Sequence, residues 1–140
     1  MSQPVFKIPR ALVEEMFARA RAASPAECCG LLGGSCERAQ SVYPLRNVAP
    51  RAEVAYEAAP EELFDAQRRM RERGEQLAAV YHSHPRSAEP EPSATDVRLA
   101  FYPSAIYLII GIGEAGCVLR AFRIKEREGS WERAGLEVEG

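Results

Sequence analysis

Apolar and polar side chains alternate over Val5-Phe6-Lys7-Ile8, the two-residue period of a half-buried strand. Pro9 then suits the start of a helix, and Leu12, Val13, Met16, Phe17 and Ala20 recur at the spacing that lines one helical face. That helix should stop by Ser24-Pro25. The short apolar run Cys28-Cys29-Gly30-Leu31-Leu32, closed by Gly33-Gly34, reads as a buried strand. Residues 41–48 read as another strand and residues 56–58 as a short extended piece. Pro60 opens a second helix with Glu61, Glu62 and Asp65 in its first turns, where acidic side chains favour the positive end of the helix dipole, and Gly74 ends it.

Residues 77–84 form a strand with an apolar first half, halted by Pro85. Residues 86–92 hold two prolines and two glutamates with no periodicity and make a loop, followed by a short helix from Ser93 to about Phe101. The most apolar strand is expected over residues 105–112, and residues 117–124 alternate as its neighbour across a glycine turn. Helices and strands are intermixed without a regular strand-helix-strand rhythm, so the class is mixed α/β. No internal repeat or second domain is expected in residues 1–140.

Composition agrees with that reading. The chain has 140 residues, 46% hydrophobic and 27% charged, as an ordinary soluble domain has. A chain of this length buries about two-thirds of the surface its unfolded form exposes, so a metal is not needed for stability and would be present for chemistry. The net charge of -2 argues against nucleic acid as a partner. The densest basic stretch, residues 68–73, includes Glu72 and reads as a solvated helix face. No basic segment followed by an apolar run opens the chain, and no stretch approaches a membrane span, which makes the cytoplasm the expected compartment. Cys28, Cys29, Cys36 and Cys117 form no CxxC pair and read mainly as small core residues, a redox-sensitive disulfide being the alternative.

The only histidines, His82 and His84, stand one residue apart at the end of a predicted strand. Side chains at i and i+2 leave a strand on the same face, with Cα atoms roughly 6.5 to 7 Å apart, close enough for two imidazoles to converge on one ion. A carboxylate with a position left for water completes an open catalytic site of the zinc type, and Asp96 is the leading candidate. Two partly exposed strand histidines are the plainer reading of His82 and His84. Ser93 and Asp96 have a plainer reading of their own, because a serine followed three residues later by an acid resembles a helix capping box. The two roles are compatible if the helix start faces the site.

Taken together, His82-Ser83-His84-Pro85, seven intervening residues, Ser93-Ala94-Thr95-Asp96, and Glu27 before Cys28-Cys29-Gly30-Leu31-Leu32 resemble the JAMM motif of the MPN-domain metallopeptidases. Asn47-Val48-Ala49-Pro50 and residues 56–63 are similar to the segment that joins these blocks in that family, and the resemblance covers residues 5–124. It implies a single JAMM/MPN-like domain with a curved mixed β-sheet flanked by helices, of cytidine deaminase-like type. It further implies one zinc ion per chain on His82, His84 and Asp96, Glu27 as general base, and Ser93 as donor to the oxyanion of the tetrahedral intermediate.

The implied activity is a zinc metallopeptidase or isopeptidase. Its substrate would be a ubiquitin-like or sulfur-carrier protein, cut at the amide bond after its C-terminal tail. Only eight residues separate Asp96 from the strand at Ala105, which leaves little room for an insertion that grips a ubiquitin chain. A tail is expected to add to an exposed strand edge. The alternative is a non-catalytic MPN-type interaction module. A nucleoside deaminase is disfavoured because no PCxxC accompanies the histidines. The leaving group, the oligomeric state and the choice of zinc over another divalent metal are left open by the sequence.

Overall fold

The computed structural model describes residues 5–140. The expectation about a leader segment therefore lies partly outside the described residues. The elements follow in order: β1 (Phe6–Pro9), α1 (Arg10–Ala23), β2 (Cys29–Gly34), β3 (Ala39–Leu45), α2 (Pro60–Glu72), β4 (Gln76–His84), α3 (Ala94–Arg98), β5 (Ile106–Gly113), β6 (Gly116–Lys125), β7 (Ser130–Ala134) and β8 (Leu136–Glu139). Six strands form one mixed sheet in the order β3-β2-β4-β5-β6-β7, with β4 and β5 parallel and the other pairs antiparallel. β1 and β8 make a separate parallel pair.

Side-chain alternation divides the interior into two cores, one on each face of the sheet. On one face α1 and β1 supply Phe6, Ile8, Met16 and Ala20, which pack on Leu32, Tyr81, Leu108 and Ile110. On the other face Ala66 and Met70 of α2 and Val97 of α3 pack on Leu31, Val80, Tyr107 and Ile109. Neighbouring residues on β4 thus serve opposite cores: Tyr81 goes to the α1 face and Val80 to the face that α2 and α3 cover. Continuing that alternation, His82 and His84 lie on the α2 and α3 face with Val80, and Ser83 points the other way.

Two glycines permit close approaches that bear on the site. A Cβ on Gly30 would collide with the phenol of Tyr81, so the strand before the site lies directly against that ring. A Cβ on Gly111 would collide with the carbonyl of Ser87 and the ring of Pro90, so the loop after β4 lies flat on the end of β5.

Several boundaries differ from the sequence reading. β3 runs Ala39–Leu45 rather than over residues 41–48, because beyond Leu45 the Asn47 side chain draws the chain into turns by bonding backbone groups at Ala49, Ala55 and Glu57. The helix after Ser93 ends at Arg98, well short of Phe101. β7 and β8 were not expected, since both lie beyond the alternating pattern that ends at Ile124. Their residues are largely half-exposed or exposed and carry little apolar signal.

Candidate metal centre

β4 carries two of the expected ligands and α3 the third. His82 Nε2 stands 3.1 Å from His84 Nε2 and 3.1 Å from Asp96 Oδ2, and His84 Nε2 stands 3.0 Å from Asp96 Oδ2. His82 is fully buried, while the His84 and Asp96 side chains keep 17% and 8% exposure, so the triangle opens to solvent on one side. Among the described residues this is the one group of three such side chains whose donor atoms converge.

The donor set fits a cation. Atoms bound about 2.0–2.1 Å from a tetrahedral zinc lie about 3.3 Å apart, close to the separations observed. Two neutral imidazoles and one carboxylate bring three lone pairs to one point, and a positive charge there relieves their mutual repulsion.

Asp96 reaches this point through a helix cap. Its backbone amide donates to Ser93 Oγ at 3.0 Å, and its Oδ2 accepts from the Ser93 amide at 2.9 Å. Both halves of the capping box are therefore present, and the same Oδ2 faces both imidazoles. Burial pushes the Asp96 carboxyl upward, but the hydrogen bonds with His82 and His84 outweigh it and hold the group well below the ordinary carboxylate range. Burial also lowers His82. For His84 the bond to Asp96 overcomes burial and raises it.

Ser93 itself is exposed and borders a shallow depression with Pro92, Val97 and Trp131. Its oxygen accepts from Asp96, which leaves the hydroxyl hydrogen free to donate elsewhere.

Glu27 reaches the site through strand pairing. Cys29 pairs with His82 and the Ser83 amide donates to the Cys28 carbonyl at 3.1 Å, so the same register carried onward brings Glu27 beside His84. The backbone of Glu27 is held by the Ala52 carbonyl at 2.7 Å and by Asn47 Nδ2, which donates to the Glu27 carbonyl at 2.9 Å. The side chain is 6% exposed, and its Oε1 is buried with no hydrogen-bond partner among the described residues. Burial pushes its carboxyl up to about 7 from the ordinary 4.5, partly opposed by His84 and reinforced by Asp96. An unpaired buried carboxylate costs stability, and groups perturbed in this way concentrate at functional sites.

Next to the triangle lies a cavity of about 320 Å³, whose lining includes Leu45, Tyr56, Asp96, Leu99, Tyr102 and Tyr107. Asp96 belongs to both the cavity and the triangle. Within the six-stranded sheet β4 is flanked by β2 and β5, so its own edges are covered, while the extended residues 56–58 expected from the sequence border the cavity beside Asp96. Tyr56, which stacks on His82 with ring centroids 4.5 Å apart, was missed as a site residue. Only its place in the segment joining the two motif blocks pointed toward it. The four cysteines are all unpaired, and Cys28 and Cys29 join the strand before the site without entering the triangle.

Comparison with known proteins agrees with this geometry. A profile of the family described as prokaryotic homologs of the JAB domain matches residues 9–125. A desampylase of Haloferax volcanii is 42% identical over 87 residues, a match that covers 61% of this chain and 62% of that protein. The chain thus spans less than two-thirds of that relative's length. The CysO-cysteine peptidase of Mycobacterium tuberculosis is 35% identical over 116 residues, covering 81% of this chain and 78% of that one. A solution structure of a protein from Desulfitobacterium hafniense superposes with a TM-score of 0.84 at 34% identity, covering 96% of this chain and 93% of the other. On the profile match, the relatives and the shared fold, the chain belongs to the family of prokaryotic homologs of the JAB domain.

Proposed function

We propose that this protein is a zinc-dependent peptidase that hydrolyses the amide bond after the C-terminal tail of a ubiquitin-like or sulfur-carrier protein. The observation that carries the reading is the convergence of His82 Nε2, His84 Nε2 and Asp96 Oδ2 beside a buried, unpaired Glu27 carboxylate. His82, His84 and Asp96 would hold the ion. Bound there, zinc supplies Lewis acidity toward a carbonyl oxygen and acidifies a coordinated water.

The chain's own groups supply the proton traffic. Glu27 Oε1, which has no other hydrogen-bond partner among the described residues, takes the proton from the attacking water and delivers it to the leaving amine. The Ser93 hydroxyl donates its spare hydrogen to the oxyanion that develops on the former carbonyl oxygen. The largely apolar cavity beside Asp96 receives the substrate's tail. The relatives' names, a desampylase and a CysO-cysteine peptidase, agree with a ubiquitin-like or sulfur-carrier substrate. A non-catalytic module would have no need of an unpaired buried glutamate. The cytoplasm is the compartment we assign, supported by four unpaired cysteines, which suit a reducing environment. Among the described residues no helix is long and apolar enough to cross a membrane.

The test is cleavage of a ubiquitin-like sulfur-carrier protein fused through its C-terminal tail to a reporter. Cleavage should occur at the end of the tail and should be lost when the tail's terminal small residues are replaced by leucine. A leucine-terminated tail cut at the wild-type rate would count against the substrate assignment.

A further inference from the structure

His82 is the most deeply buried member of the triangle, and its second ring nitrogen, Nδ1, has no hydrogen-bond partner among the described residues. A histidine that binds a metal through one nitrogen ordinarily donates from the other to a carbonyl or carboxylate, and that bond fixes the plane of the ring. His82 must be oriented by something else.

The ring of Tyr56 lies over the face of His82, with centroids 4.5 Å apart and planes inclined by 25°. The separation falls in the range of attractive offset stacking. His84 meets the same imidazole edge-on at 4.9 Å and 62°, so His82 is confined by aromatic contacts rather than by a bond at Nδ1.

Tyr56 is itself held from both sides. Asn47 Nδ2 donates to the carbonyl of Ala55 at 3.0 Å and Asn47 Oδ1 accepts from the amide of Glu57 at 3.0 Å, so one side chain grips the residues before and after the tyrosine. The amide of Val48 adds a bond to the Glu57 carbonyl at 2.8 Å. The other bond from Asn47 Nδ2, to the Glu27 carbonyl at 2.9 Å, ties this brace to the segment that carries the proposed general base.

We propose that Tyr56 is a positioning residue for His82, its ring, braced by Asn47, holding the imidazole in the plane that aims Nε2 at the point shared with His84 and Asp96. This inference rests on the metal-site reading above. The contact is one of ring faces, so an aromatic replacement keeps it and an aliphatic one loses it.

The experiment measures zinc affinity, by competition with a chromophoric chelator, for the wild type and for Tyr56→Phe, Tyr56→Leu and Tyr56→Met, the last guarding against a leucine variant that does not fold. Loss of an outer partner of a metal-binding histidine typically weakens binding by about tenfold or more, so the aliphatic variants should lose at least about fivefold while Tyr56→Phe stays within about fivefold of wild type. The unfolding midpoint of each metal-free protein is measured alongside. A purely structural tyrosine would lower the midpoint and leave affinity within that limit, which overturns the proposal. Equal losses in Tyr56→Phe and the aliphatic variants also overturn it, because they assign the effect to the hydroxyl. Wild-type protein that binds no zinc overturns the metal-site reading itself, whereas wild-type binding that survives both aliphatic replacements overturns the role of Tyr56 alone.

Discussion

Asp96 Oδ2 accepts from the Ser93 amide and faces two imidazoles, so one carboxylate oxygen both starts a helix and points at the candidate ion. The capping pattern and the ligand pattern visible in the sequence were therefore not rivals. Ser93 has the same double character, and Ser93→Ala should show it: a loss of about 1 kcal/mol in stability from the cap, together with a loss of about a hundredfold to a thousandfold in turnover. Denaturant unfolding beside steady-state kinetics separates the two, and full activity with reduced stability would leave Ser93 as a cap only. For Glu27 the sign of the pH effect follows from burial. Its folded-state value of about 7 lies above the ordinary 4.5, so the folded metal-free protein holds this proton more tightly than the unfolded chain does. Stability should fall as pH rises from about 4.5 through 7, by on the order of 3 kcal/mol at most. Glu27→Gln should flatten that fall, as urea unfolding of metal-free protein at the two ends of the window would measure. An unchanged slope in the variant would show that Glu27 is not the group responsible.

Elements place these groups by register. The histidines were legible because alternate positions on a strand share a face, and β4 runs to His84 as expected. The route by which Glu27 arrives was not, because it depends on β2 pairing antiparallel with β4, a long-range contact that leaves no local pattern. β7 and β8 were invisible for a different reason, being short and largely half-exposed or exposed. The loop after β4 is fixed from outside: Gly111 on β5 leaves room for Ser87 and Pro90, and through them the chain is led to Ser93. Gly111→Ala should displace that loop, cost about 1–3 kcal/mol as overpacking does, and weaken metal binding because Asp96 follows the loop. Calorimetric unfolding and a metal titration of the variant would check both. Stability and affinity equal to wild type would mean that the loop yields without moving the aspartate.

At the scale of the molecule, the mixed sheet separates two cores, and the histidine face is the one covered by α2 and α3. The mixed α/β class was readable in advance from the periodicity, and the joint motif named the three side chains, His82, His84 and Asp96, whose donor atoms converge. Strand order was not, because β4 and β5 lie parallel through a connection that includes α3. The outcome is three converging donor atoms, two from the end of a central strand and one from α3, beside a cavity of about 320 Å³. In the proposed mechanism these three atoms hold zinc and Glu27 works beside the ion without binding it. The most direct measurement is zinc content of purified wild type, Asp96→Ala and Glu27→Gln, each paired with the cleavage assay. About one zinc per chain is expected in wild type, with its loss in Asp96→Ala and its retention without activity in Glu27→Gln. Metal-free wild-type protein that cleaves its substrate, or Glu27→Gln with full activity, would contradict that mechanism.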